Sequence, residues 1–302
     1  FRRDLSGTLG LSATDVAPAA SLQFNAKGDL DALTFDLVGQ APGPLAISLS
    51  LRESLAVPLW TLKARSEGLD PTLLGLAAGE PWRGRLDATG RGGEAELTGE
   101  LTQGDWRLGI EPSRLQLASK VLRAQPLVLA LPQGPLVVTG DLALAGDASV
   151  FDAVAASTGL RFEPASAEPG ALAVTAAGEL HARGRFDAWT LAGEATLERG
   201  GEQATLALSG KGNAEALTLD ELRADTPTGS LDGRGVLHWS PALAFELQAA
   251  LANFDPGYFA PDYPGALSGA LQANATRADD GRWQGRLQVD DLRGQLRDRP
   301  GS

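Results

Sequence analysis

Trp189-Thr190-Leu191-Ala192-Gly193-Glu194-Ala195-Thr196-Leu197 places an apolar residue or glycine at every second position, with Thr, Ala and Glu between them. A period of two marks a strand with one face on an apolar surface and the other in water. The spacing recurs on both sides of this stretch. Ile47, Leu49 and Leu51 are interleaved with Ser48 and Ser50, and Leu127, Leu129 and Leu131 with Val128 and Ala130. Ala204, Leu206 and Leu208, then Leu217 and Leu219, then Phe245, Leu247, Ala249 and Leu251 repeat it. A 3.6-residue period is rare. The best helical candidate is Asp70–Gly79, with Asp70 placed to cap and Pro71 at the first helical position. The pattern predicts an all-β chain of about twenty short strands with one or two short helices. It is expected to run over residues 1–145, through a looser connection at 146–170, and on over 171–302 in the same array.

The units also repeat. Gly84-Arg85-Leu86-Asp87-Ala88-Thr89-Gly90 resembles Gly140-Asp141-Leu142-Ala143-Leu144-Ala145-Gly146 and Gly178-Glu179-Leu180-His181-Ala182-Arg183-Gly184. At a fixed offset of 185 residues, Leu62, Ala64, Asp70, Pro71, Gly84, Leu86 and Ala88 meet Leu247, Ala249, Asp255, Pro256, Gly269, Leu271 and Ala273. Trp60 meets Phe245 and Leu69 meets Phe254 in the same register. An array of related β units accounts for this better than a catalytic domain with unique parts. Asp70-Pro71 and Asp255-Pro256 are expected to open turns or short helices that cap one edge.

With few helices to cover the apolar faces, three shapes compete. A sandwich or closed barrel buries the face against itself. A β-helix does so with short rungs, but relies on side-chain ladders, and the chain has only four Asn. A curled open groove leaves the face to an apolar occupant, because such a face exceeds the roughly 300–600 Å² patch of a soluble monomer. Lipid chains are its natural contents. An outer-membrane barrel has strands of about ten residues and aromatic girdles. Runs of about five to seven residues, two Tyr and scattered Trp argue against one here.

Composition narrows the function classes. Lys plus Arg number 26 against 38 Asp plus Glu, a net charge of −12, which disfavours nucleic acid or an anionic membrane surface as partner. Hydrophobic residues at 43% and charged residues at 21% suit a folded chain. The absence of Cys excludes disulfides, thiolate chemistry and zinc ribbons. A chain that opens on Phe1 and holds no Met is expected to be a piece of a longer protein. No apolar run approaches the roughly 18 residues of a membrane helix.

Motifs for chemistry are sparse. His181 and His238 each sit in a strand-like run and read as satisfied or exposed strand histidines. Asp279-Asp280-Gly281 and Asp290-Asp291 lack the spacing of a calcium loop and read as turn acids. Gly210-Lys211-Gly212 lacks the first Gly and the Ser or Thr of a phosphate loop and reads as a tight turn. No cofactor, metal or enzymatic activity is expected.

The stretch Leu219 to Gly235, followed by Val236-Leu237-His238-Trp239-Ser240-Pro241, Phe254-Asp255-Pro256 and Tyr263-Pro264-Gly265, resembles the middle of the TamB family within the broader AsmA-like group. Gly68-Leu69-Asp70-Pro71 with Pro81-Trp82 looks like a second copy of the passage. The resemblance runs from about residue 170 onward and is diffuse over residues 1–145. It implies a taco-like periplasmic β-groove with an apolar interior, anchored in the inner membrane of a Gram-negative bacterium by an N-terminal segment not evident here. It also implies phospholipid transport between the membranes and outer-membrane protein assembly. The implied partner is a TamA-like outer-membrane barrel, met through parts absent from this sequence.

The expected fold is therefore an elongated repeating β-groove, and the expected occupant is phospholipid acyl chains. Its lining is read from the alternation as Ile47, Leu49, Leu51, Trp60, Leu62, Leu86, Leu127, Leu129, Leu142, Leu144, Leu180, Leu191, Leu197, Leu206, Leu208, Leu237, Phe245, Leu247, Leu271 and Leu287. Two alternatives stay open: a scaffold that packs on a barrel partner without conducting lipid, and a secreted β-helix that processes polysaccharide.

Overall fold

The computed structural model describes residues 3–11, 20–29, 31–53, 57–71, 80–146, 148–163, 172–240, 242–259, 263–278 and 282–296. Contacts divide the chain into two units, Phe1–Pro132 with Val137–Asp141, and Gln133–Leu136 with Leu142–Ser302. The first holds β1 (Arg3–Leu11), β2 (Ala20–Gly28), β3 (Ala32–Gln40), β4 (Pro44–Arg52), β5 (Leu59–Leu69), β6 (Trp82–Arg91), β7 (Glu94–Gln103), β8 (Trp106–Ala118) and β9 (Val121–Leu131). β10 (Gly134–Ala143) is divided between the units. The second holds β11 (Val150–Phe162), β12 (Val174–Arg185), β13 (Ala188–Arg199), β14 (Glu202–Gly212), β15 (Ala216–Asp225), β16 (Ser230–His238), β17 (Ala244–Phe254), β18 (Gly265–Arg277) and β19 (Trp283–Leu296). One 3₁₀ turn, Pro256–Tyr258, follows β17. The chain is all-β, as the alternation predicts.

Within each unit every strand pairs antiparallel with the next, from β1 to β9 and from β11 to β19. Such meanders need only tight turns. Gly92, Gly104, Gly200 and Gly201 supply the positive φ that those turns demand.

The internal repeat is structural. β5 and β6 pair through Leu62↔Ala88 and Ala64↔Leu86, and β17 and β18 through Leu247↔Ala273 and Ala249↔Leu271. The register of the first pair shifts between Ser66 and Leu69, that of the second between Leu251 and Phe254. Both bulges obey the same 185-residue offset.

Three expectations need adjustment. The strands run from 9 to 14 residues, longer than the apolar runs, because glycine and polar positions continue each ladder beyond its last leucine. Strand length therefore does not separate this chain from a membrane barrel. In the stretch read as a looser connection, residues 150–162 form β11. Its alternation is muted because Ala153 and Ala155 stand where leucines stand elsewhere. Gly210-Lys211-Gly212 is no turn: it ends β14, with Gly210 opposite Leu191 and Gly212 opposite Trp189. The helix expected over Asp70–Gly79 falls mostly on 72–79, outside the described residues.

Buried residues are few. Ten hydrophobic residues, among them Leu22, Ala88, Leu97, Leu197, Ala204 and Tyr258, make up the buried apolar set among the described residues. Among the described residues, no second layer covers the meander within either unit.

Candidate functional site: an uncovered apolar face

The registers settle which side chains share a face, because residues directly opposed in an antiparallel pair point the same way. In the second unit one row runs Ala153, Ala182, Leu191, Gly210, Leu219, Gly235, Leu247, Ala273, Leu287. The next runs Ala155, Leu180, Gly193, Leu208, Leu222, Gly233, Ala249, Leu271, Val289. Neither row holds a polar side chain. The row just beyond the second, on the opposite face, runs Ala156, Glu179, Glu194, Ala207, Arg223, Asp232, Ala250, Ala270, Asp290. Nine strands at about 4.8 Å spacing make an apolar surface about 38 Å wide.

The first unit repeats the arrangement. Phe24, Leu37, Ile47, Ala64, Leu86, Gly99, Ile110 and Leu129 form one row, and Asn25, Asp36, Ser48, Lys63, Asp87 and Thr98 a row on the other face.

Glycines shape the apolar side. A Cβ on Gly193 would come within 2.7 Å of Leu180 Cδ1, and one on Gly99 within 3.3 Å of Leu86 Cδ1. Trp60 lies over Gly90 and Trp189 over Gly212 in the same way. Each large side chain thus lies flat across a cross-strand glycine, which keeps the surface low and continuous.

Ile47, Leu49, Leu51, Trp60, Leu62, Leu86 and Leu129 share the apolar face of the first unit, with Leu127 two residues before Leu129 on β9. Leu180, Leu191, Leu197, Leu206, Leu208, Leu237, Phe245, Leu247, Leu271 and Leu287 share that of the second. Leu142 is half-buried in β10, whereas Leu144 lies beyond its end and is 42% exposed. Leu197 is on the face but sealed, at 7% exposure.

The two rims of the second unit differ. After β17, Asp255 accepts hydrogen bonds from the Gly257 and Gly265 amides, both at 2.8 Å, and caps the 3₁₀ turn. This strap reaches the β13–β14 hairpin, four strand spacings or about 19 Å away on a flat sheet. The Tyr258 hydroxyl meets the Leu197 carbonyl at 3.0 Å and the Glu202 carbonyl at 3.2 Å. Arg199 donates to the carbonyls of Gly257 and Tyr258. Tyr258, Leu197 and Ala204 form a buried cluster with Val174, Ala176 and Leu206 against it. Burial pushes the Tyr258 hydroxyl above the usual phenol range. Sequence reasoning found the Asp-Pro turn but not its long-range partner.

The opposite rim carries aromatic pairs. Phe151 packs on Phe186 at 5.3 Å, Trp189 on Trp239 at 6.3 Å, and Phe245 on Trp283 at 6.0 Å. Trp189 and Trp239 donate their indole N–H to the carbonyls of Asn213 and Ala214 in the β14–β15 turn. Rings on the apolar side with polar ends at the turn suit a boundary between hydrocarbon and water.

The polar face is laced with ion pairs. Arg123 forks onto Asp141 at 2.7 and 2.9 Å, Arg185 onto Asp187 at 2.9 and 2.6 Å, and Arg223 onto Asp225 at 2.8 and 3.0 Å. In each pair the arginine's hydrogen bonds hold the carboxyl below the usual aspartate range. A general acid needs the opposite shift. His181 meets Asp152 at 2.6 Å on this face. His238 stands opposite Ala216 in the β15–β16 ladder. Asp290 accepts from Gln288, and Asp279 and Asp280 lie outside the described residues. Among the described residues no three His, Asp or Glu gather to hold a metal, and no helix is long and apolar enough to cross a membrane.

Residues 137–301, more than half of the chain, match the family model described as TamB, N-terminal domain. No curated protein and no solved structure matches the chain.

Proposed function

This chain belongs to the TamB family, and we propose that its apolar sheet face is a path for phospholipid acyl chains across the periplasm. The parent protein is anchored in the inner membrane of a Gram-negative bacterium. Lipid moves along the face between inner and outer membranes, in support of outer-membrane protein assembly with a TamA-like barrel. The observation that carries the reading is the second unit's pair of nine-residue rows without one polar side chain, left uncovered by the described residues of that unit. An apolar surface about 38 Å wide exceeds what a soluble chain leaves to water, so something apolar covers it. Hydrocarbon suits it better than a folded protein surface, since Leu180 lies across Gly193 and Trp189 across Gly212, which keeps the face low and continuous. In the second unit the strap at Tyr258 shuts one rim. The aromatic rim opposite is then where headgroups meet water.

Lipid extraction and native mass spectrometry of the folded chain test the reading. Bound phospholipid is expected, and the delipidated chain should take up a fluorescent phospholipid. A stable, lipid-free chain that ignores the probe favours the non-conducting scaffold.

A further inference from the structure

In the first unit the ladder opens at one place. β8 and β9 pair through Ile110↔Leu129 and again through Leu115↔Ala124, with no paired positions between. Pro112 and Pro126 lie in that gap, and neither can donate a backbone hydrogen bond. Ser113, only 1% exposed, fills in: its hydroxyl donates to the Glu111 carbonyl at 2.7 Å and accepts from the Val128 amide at 2.8 Å. Toward β7 the register shifts between Leu97 and Gly99, so Thr98 faces Glu111 and Pro112 together.

A depression of about 630 Å³ lies over this opening. Asp87, Thr89, Glu96, Thr98, Arg114 and Gln125 line it from four strands, and the buried Ala88, Leu97 and Ser113 close its floor. The registers Asp87↔Thr98, Thr89↔Glu96 and Glu96↔Arg114 put it on the polar face. Its volume is that of a small-molecule site. Two further depressions continue it, one sharing Asp87, Thr98 and Pro112, the other Thr89, Glu96, Arg114 and Gln125. Together they form a trough from Glu94 to Glu100 along β7, about 20 Å long.

The groups in the trough select its ligand. The side chains of Asp87, Thr89, Thr98 and Gln125 have no hydrogen-bond partner among the described residues, which leaves a carboxylate, two hydroxyls and an amide to bond a ligand. Arg114 is already paired with Glu96 at 3.2 Å and Arg107 with Glu100 at 3.4 Å, which disfavours an anion. An extended peptide would need an open strand edge, whereas β7 and β8 are paired on both sides. The ligand that fits is uncharged, extended and rich in hydroxyls, with ring faces that can rest on Pro112 and Pro126.

From these unpartnered polar groups gathered in one trough, we propose that the polar face of β6–β9 binds a neutral glycan strand. The site lies opposite the apolar rows of the first unit and does not depend on what they carry.

Chitotetraose, a short neutral glycan, titrated into the full chain and followed by saturation-transfer NMR and calorimetry, should bind saturably. Thr98→Val and Gln125→Ala should each weaken binding about fivefold, and Asp87→Asn about tenfold. Thr196→Val, on the polar face of the second unit, should leave it unchanged. All four positions are exposed, and circular dichroism with thermal melting checks the fold. No saturable binding, equal affinity in wild type and the three trough variants, or binding of tetra-alanine at these residues in place of the sugar would each overturn the proposal.

Discussion

The indole of Trp189 lies across Gly212, its directly opposed neighbour on β14, leaving no room for even a methyl group at 212. Trp60 and Gly90 stand in the same relation on β5 and β6. Gly212→Ala should therefore lift Trp189 off the sheet and break its stack on Trp239. Overpacking of this kind costs about 1–3 kcal/mol. Urea unfolding followed by tryptophan emission should show a lower midpoint, with a changed native spectrum before unfolding begins.

The strap gives a second expectation. Tyr258→Ala empties the cluster with Leu197 and Ala204 and should cost about 3–5 kcal/mol. Tyr258→Phe keeps the ring and loses only the shared hydroxyl contact, about 1 kcal/mol. Since folding raises the Tyr258 hydroxyl above its unfolded value, its contribution is complete below the usual phenol range and is lost as pH rises through the folded value. Unfolding scans should therefore show wild type more stable than Tyr258→Phe by about 1 kcal/mol below that range, with the gap closing at the alkaline end.

On the polar face the pH dependence has the opposite sign. Asp141 is held low by Arg123, so its contribution is present above the ordinary aspartate range and fades as pH falls through its lowered value. Arg123→Gln should move the Asp141 titration, followed by carboxyl NMR, back up toward that range. Asp141→Arg would instead set two arginines side by side, whereas Glu179, on the charged row and opposite Glu194, takes a reversed charge without that repulsion.

Much of this was legible in the sequence because alternation encodes facing directly. Leu191 and Glu194 declare opposite sides without any knowledge of their neighbours, and the offset that matched Leu62 to Leu247 also locates equivalent bulges in β5–β6 and β17–β18. What stayed hidden depends on partners far along the chain. Gly210 and Gly212 look like turn residues until Leu191 and Trp189 are found opposite them. β11 hides because alanines carry too little contrast, and nothing in Asp255-Pro256-Gly257-Tyr258 announces that its tyrosine reaches back to Leu197.

A charge on the apolar face should interrupt the path. Leu180→Arg faces hydrocarbon at a cost of about 2.5–3.5 kcal/mol, whereas Glu179→Arg changes only the solvated side. In the full-length parent, folded Leu180→Arg should carry less phospholipid than Glu179→Arg, measured as labelled lipid moved between inner and outer membranes. Equal transfer would mean that this row lies off the path.

Ala207 and Leu208 are adjacent on β14 and face opposite sides of the sheet, the first between Glu194 and Arg223, the second between Gly193 and Leu222. A photoreactive benzophenone side chain at each position, irradiated in the full chain loaded with phospholipid, tests the central claim most directly. Acyl-chain adducts, identified by mass spectrometry, are expected at 208 and not at 207. Equal labelling at both positions, or labelling at 207 alone, would contradict the apolar face as the lipid path.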